Sequence, residues 1–339
     1  MELQDLVGTL KWSTGFGIAG PWKAEYLEAL DQRLARLCSV DDAGAELAKA
    51  FGLLSARQKA EILSYPFIAD RLRRKDAAFR HQTMQALADA VVEILSGKLL
   101  LPTSLRLGLP TIGSDLIVDF DTPLQIAKRR EADPGLKLVV QSSQRNSIQA
   151  KLDEAIEILA HHVVTALHFT GSFIYLVCIR EEVAEQAAFS SVSFSCYPGL
   201  AVLSNCHMPD VGAHKLADAL VHEAIHGALY LFETTKHPLL TRQPPAHLLL
   251  QSPWTGRQLG LDSYVQACFV WFGLAHLWQQ MLSSTDELGE AATLLRKALD
   301  GFRLAPVSGG NRAELSEFCA PDTFTCLQEL ENELRMVNP

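Results

Sequence analysis

Two histidines four residues apart, His222 and His226, with Glu223 directly after the first, are the residues of this chain best suited to chemistry. At about 100° per residue along a helix the two imidazoles point the same way, one turn apart, the spacing at which two can hold one divalent ion. Glu223 then stands beside that ion as a base or as a partner to bound water. The surrounding segment LADALVHEAIHGALYLFE is rich in Ala and Leu and free of Pro, so propensity alone places all three on a helix. The pattern recurs by chance, and the plainer reading is a pair of helix histidines, one buried and one exposed. Against it, a polar cluster in an otherwise apolar helix is expensive to bury and needs a reason.

The third ligand is the open question. Glu233 lies on nearly the same face but about 10 Å further along the axis at 1.5 Å per residue, so it serves only if the helix breaks near Gly227. His237 closely follows the helix and is an outside candidate. Gln266 projects from the apolar segment SYVQACFVWFGLAHLW together with Val270, Gly273 and Leu277, and is the more attractive choice. A Gln is an uncommon ligand, and a buried amide bonded to backbone is its plainer explanation.

These residues must be positioned by an α+β fold, mostly helical, with a small central sheet and a C-terminal helical layer carrying the HExxH helix. With 339 residues, 48% of them hydrophobic and 20% charged, the chain has material for a real core and is far from the composition of a disordered protein. The pattern divides it into a helical region over 1–110 and a metal-binding domain over 111–339. Helices are expected at 26–38, 45–53, 55–64 and 77–95, then 148–168, 213–233, 262–283, 286–302 and 322–336. Strands are expected at 116–120, 136–141, 173–180, 191–196 and 200–204, with Pro198-Gly199 turning between the last two. A polar, Pro-containing connector runs over 234–261.

The net charge of −9 argues against a nucleic-acid partner, since phosphate neutralisation needs clustered Lys and Arg. The basic run at 71–75 reads as a solvated helix face. Seven cysteines lack C-x-x-C spacing and read as reduced thiols. The opening MELQDLVGTLKWSTG has no apolar secretory segment, and no apolar stretch reaches membrane-spanning length, so no membrane partner and a cytoplasmic location are expected.

The stretch YPGLAVLS at 197–204, then LVHEAIH, then Ser252-Pro253-Trp254 with Arg257, then QACFVWFGLAHLW, resembles the HExxH-motif proteins found beside ribosomally made, post-translationally modified peptides. That family is described as iron- and 2-oxoglutarate-dependent peptide β-hydroxylases. The resemblance covers roughly residues 190–283, with fainter matches at 54–72 and 116–123. It implies Fe(II) on His222 and His226, with 2-oxoglutarate as co-substrate and a precursor peptide as substrate. The family carries His or Gln at the place of Gln266, and its Arg after SPW corresponds to Arg257, where a guanidinium can grip a carboxylate with two hydrogen bonds. Here Gln258 replaces the Pro that usually follows. Two histidines and one further ligand leave positions open for a chelating co-substrate and dioxygen. No His-x-Asp or His-x-Glu occurs in the chain, so the more usual iron triad is absent.

Two other classes compete. A zinc metallopeptidase would use the same histidines with Glu223 activating water. A non-catalytic peptide-binding protein would keep the fold without turnover. Gly15 to Gly20 spells G-x-G-x-x-G, but no strand precedes it and Pro21 follows, so it reads as a loop. His161 and His162 are adjacent and diverge on a helix, and Trp254 either walls the site or packs.

Overall fold

The computed structural model describes residues 3–13, 19–64, 105–107, 116–120, 140–182, 188–235, 238–284 and 289–337, with isolated residues between 69 and 92. The glycine-rich loop, the basic run, the helix expected at 77–95, the strand expected at 136–141 and His237 lie wholly or largely outside the described residues. The protein is a mostly helical α+β fold, as expected. Its division differs from a boundary near 110: one compact unit gathers residues 1–20, 151–170 and 212–339, the other 21–150 and 171–211. The change of texture near 110 marks a change of secondary structure, whereas packing returns distant segments to one core.

Helix α1 (Leu3–Thr9) belongs to the first unit, and the second unit opens with α2 (Ala19–Cys38, from Pro21 onward), α3 (Asp42–Gly52) and α4 (Ala56–Ser64). Asp41 caps α3 by accepting from the Gly44 amide at 2.8 Å, filling one of the orphan donors of a helix start. A five-stranded sheet follows, in the order β1-β2-β3-β5-β4, from β1 (Leu105–Leu107), β2 (Leu116–Asp119), β3 (Leu176–Arg180), β4 (Ser190–Ser193) and β5 (Leu200–Ser204). The central β2, β3 and β5 are parallel, with Cys178 opposite both Asp119 and Val202, and the edges β1 and β4 are antiparallel. β3 and β5 are buried along their whole length, which is why they read as continuous apolar runs without alternation. Gly199 holds a φ of +86° in the turn before β5, and its carbonyl accepts from the Tyr175 and Leu176 amides. Asn205, at φ +62°, takes the Glu182 amide on its side chain while Arg180 donates to Ser204 Oγ at 2.6 Å.

In sequence between β2 and β3, the single helix expected at 148–168 is two: α5 (Ser142–His162) and α6 (Val164–Phe173), the break falling at Val163. The expected strand start at 173 therefore moves to 176.

The first unit holds α7 (Ala213–Thr235), the hairpin of β6 (Leu249–Gln251) and β7 (Gln258–Gly260), α8 (Leu261–Ser284), α9 (Gly289–Arg303), α10 (Arg312–Phe318) and α11 (Pro321–Arg335). The connector expected between 234 and 261 thus contains a two-stranded sheet, with strands too short to show a period. α8 is the buried centre, packed on α7, α9 and α11 with apolar residues on nearly every side, the pattern of a helix enclosed by protein. Gly273 brings α7 close: a Cβ there would stand 2.6 Å from Ile225 Cδ1, inside the HExxH motif itself. Trp12 donates Nε1–H to the Gly273 carbonyl at 2.7 Å and closes this contact from the other side. No helix among the described residues is long and apolar enough to cross a membrane.

Candidate metal centre

α7 carries the motif as expected, continuous through Gly227, so the helix break that would have brought Glu233 back to the pair does not occur. The His222 and His226 rings lie 5.1 Å apart between centroids at 53°, on the same face one turn apart. Both are half-buried. Glu223 is 2% exposed, with an oxygen 4.0 Å from His222 Nε2, and neither carboxylate oxygen accepts a hydrogen bond from a described residue. Glu223 is thus a buried carboxylate beside two imidazoles with no donor among the described residues, and such a group is costly to bury.

Burial pulls the His222 pKa down to about 4, with the charges of His226 and Lys297 adding to the effect and Glu223 opposing it. The imidazole is therefore neutral through the physiological range, the form that carries a lone pair to a metal. His226 is oriented by α8. Its Nδ1 lies 2.8 Å from Gln266 Oε1, and Gln266 Nε2 donates to Glu233 Oε2 at 3.0 Å. Because Gln266 gives its NH2 to the Glu233 carboxylate, its oxygen faces His226, so Nδ1 is the nitrogen that donates and the lone pair is left on Nε2. Gln266 is 5% exposed and both ends of its amide are engaged, so in this arrangement it holds His226 and is not free to bind a metal. Glu233 joins the site as the far end of this relay, its pKa raised by burial against the pull of Gln266. Among the described residues no group of three or more His, Cys, Asp or Glu side chains gathers to hold a metal. The donor set present, one neutral imidazole, one with its tautomer held and an orphaned acid between them, fits a divalent ion bound by two protein nitrogens.

Aromatic rings surround the pair. His226 stacks on Tyr230 at 5.9 Å and 19°, and His222 meets Trp271 of α8 nearly edge-on, at 6.3 Å and 87°. Trp271 in turn stacks on Trp254 at 5.8 Å and 10°. Trp254 comes from the tight turn of the β6–β7 hairpin, where Ser252 N–H donates to the Arg257 carbonyl at 2.8 Å and Gly256 takes a φ of +70°. Its Nε1 donates to the Ala298 carbonyl at 3.0 Å, and its ring fills the space over Gly301, where a Cβ would come within 2.0 Å. Trp254 is thus packed against α9 and also backs Trp271.

Arg257 is exposed on that same turn, and among the described residues its hydrogen bonds are made by its backbone, none of them reaching the histidines. His161 and His162 stand apart, on the Glu157 carbonyl and Ser284 Oγ, and His276 pairs with Glu333 at 3.2 Å. Three groups near the pair escaped the sequence reading. Asp218, one turn before His222, accepts from Trp278 Nε1 at 2.7 Å, and burial pushes its pKa up to about 6. Its i−4 spacing to His222 was the available signal. Trp271 and Lys297 gave none, because only the packing of α8 and α9 brings them here.

The chain matches no family model and no curated protein.

Proposed function

We propose that this protein is a non-haem iron, 2-oxoglutarate-dependent hydroxylase that modifies a side chain of a ribosomally made precursor peptide in the cytoplasm. The observation that carries a metal function is the triplet on α7, the half-buried His222 kept neutral, His226 facing the Gln266 amide through Nδ1, and the buried Glu223 without a donor among the described residues. His222 and His226 would hold the ion through nitrogen, and Glu223 would orient a water or substrate proton beside it. Iron with 2-oxoglutarate and dioxygen supplies an oxidant able to hydroxylate an unactivated carbon. The protein's part is to keep two ligands and leave the remaining positions open, to exclude bulk water with Trp254, Trp271 and Tyr230, and to place the peptide. A cleft of about 490 Å3, lined by Pro238, Thr241, Pro245, Leu248 and Asp262 and by none of the centre's own residues, opens between the segment after α7 and the start of α8. All seven cysteines are free, in keeping with a reducing compartment.

The resemblance favours iron, and Glu223 supports a second reading. A buried carboxylate 4.0 Å from a ligand imidazole is also where a zinc peptidase needs its general base. Metal analysis of the purified chain separates them, followed by incubation with 2-oxoglutarate and a precursor peptide encoded beside it. Iron, succinate release and a peptide heavier by one oxygen are expected. Zinc with backbone cleavage would transfer the site to hydrolysis, and full activity in His222→Ala would remove α7 from the mechanism.

A further inference from the structure

A cation with no signal in the sequence stands beside the candidate centre. Lys297, on α9, places Nζ 4.9 Å from the centre of the Trp271 ring, a cation–π distance. Trp271 meets His222 at 6.3 Å, so the ammonium is no farther from the His222 ring than those two distances laid end to end. The ring beneath it is held in turn by its neighbours. Trp271 is stacked on Trp254, Trp254 is bonded to the carbonyl of Ala298, and Ala298 is the residue after Lys297. The side chain is exposed and has no carboxylate at salt-bridge distance among the described residues, while its charge bears on both His222 and Asp218.

We propose that Lys297 receives a carboxylate of the ligand bound at the His222–His226 centre, with the Trp271 face holding the ammonium in place. This rests on the metal reading above and names the group that would give the site its preference for an acid. Arg257, which the resemblance implies for this task, sits on the exposed hairpin turn and shows no comparable link to His222. The carboxylate belongs either to the distal end of 2-oxoglutarate or to an acidic residue of the peptide, and both present the same chemistry to an ammonium.

Calorimetry on the full Co(II)-loaded chain distinguishes them. The probes are 2-oxoglutarate against 2-oxopentanoate, equal in length but without the distal carboxylate, and hexaglutamate against hexaglutamine. Wild type is expected to prefer 2-oxoglutarate by up to about fivefold, the range of one exposed ion pair. Lys297→Met, which keeps the apolar stem, should bind Co(II) and melt as wild type does yet lose that preference, and Arg257→Gln should keep it. Loss confined to the hexaglutamate arm supports the same role with the peptide as the source. An unchanged preference on both arms in Lys297→Met overturns the assignment, as does its loss in Arg257→Gln alone. Failure of the Co(II)-loaded wild type to bind 2-oxoglutarate or hexaglutamate overturns it together with the dioxygenase reading, whereas failure to bind Co(II) at all sinks the metal site first.

Discussion

Replacing Gln266 by Leu tests whether the amide on α8 orients His226 or binds the metal itself. The substitution keeps bulk but removes the acceptor 2.8 Å from His226 Nδ1 and the donor 3.0 Å from Glu233 Oε2. A buried donor left without its acceptor costs about 1–3 kcal/mol. Removing the partner of a ligand imidazole typically weakens metal binding by about tenfold to a hundredfold, which at 1.4 kcal/mol per decade is the same size. The assay is Co(II) titration against a competing chelator, read in the visible bands, with melting of the metal-free chain beside it. An affinity lower by that factor with the shape of the Co(II) spectrum preserved is expected, together with a melting temperature lower by several degrees. Wild-type affinity would refute the orienting role. A loss beyond about a thousandfold with altered Co(II) bands would instead make Gln266 the third ligand that the resemblance allows.

Two further outcomes follow from the same packing. Asp218 and His222 respond oppositely to pH. His222, near 4 in the fold against 6.5 when free, contributes stability that is lost as pH falls from about 6.5 toward 4, because the unfolded chain takes up the proton first. Asp218, near 6 against 3.8, is protonated first in the folded chain and contributes more as pH falls through that window. Asp218→Asn should therefore melt above wild type at pH 7, by up to about 3 kcal/mol at 1.4 kcal/mol per pKa unit, and lose that lead by pH 4. Equal leads at both pH values would show that Asp218 is not buried as described. Gly273→Ala places a Cβ 2.6 Å from Ile225 Cδ1. The overpacking cost of about 1–3 kcal/mol offsets or outweighs the helix gain of about 1 kcal/mol, so Gly273→Ala should melt at or below wild type, and Ile225→Val, which deletes the clashing methyl, should recover any loss in thermal melts.

Much of the centre was legible because helical periodicity is local. The spacing of His222, Glu223 and His226 on an Ala- and Leu-rich helix placed all three on one stretch of α7, and the extent of α7 and α8 follows from their runs of apolar residues. Short elements were not legible: α1, β1, the strands β6 and β7, and α10 are each of seven residues or fewer, below the length at which a period stands out. The break at Val163 was also missed, since both flanking segments carry helical residues and only their packing separates them.

What the sequence by itself determined is the pair of imidazoles and the acid between them, because residues on one helix are related by a fixed rotation and rise. What only the tertiary structure decided is what each of them meets. Gln266 is 40 residues from His226 and Lys297 is 75 from His222, distances at which no periodic rule operates. The Gln266 amide reaches Nδ1, and the Trp254–Trp271 stack carries Lys297 toward the pair, because Gly273 lets α8 lie against Ile225 and Gly301 leaves room for an indole. Those contacts depend on side-chain volumes meeting across helices, and that information exists only once the chain has packed.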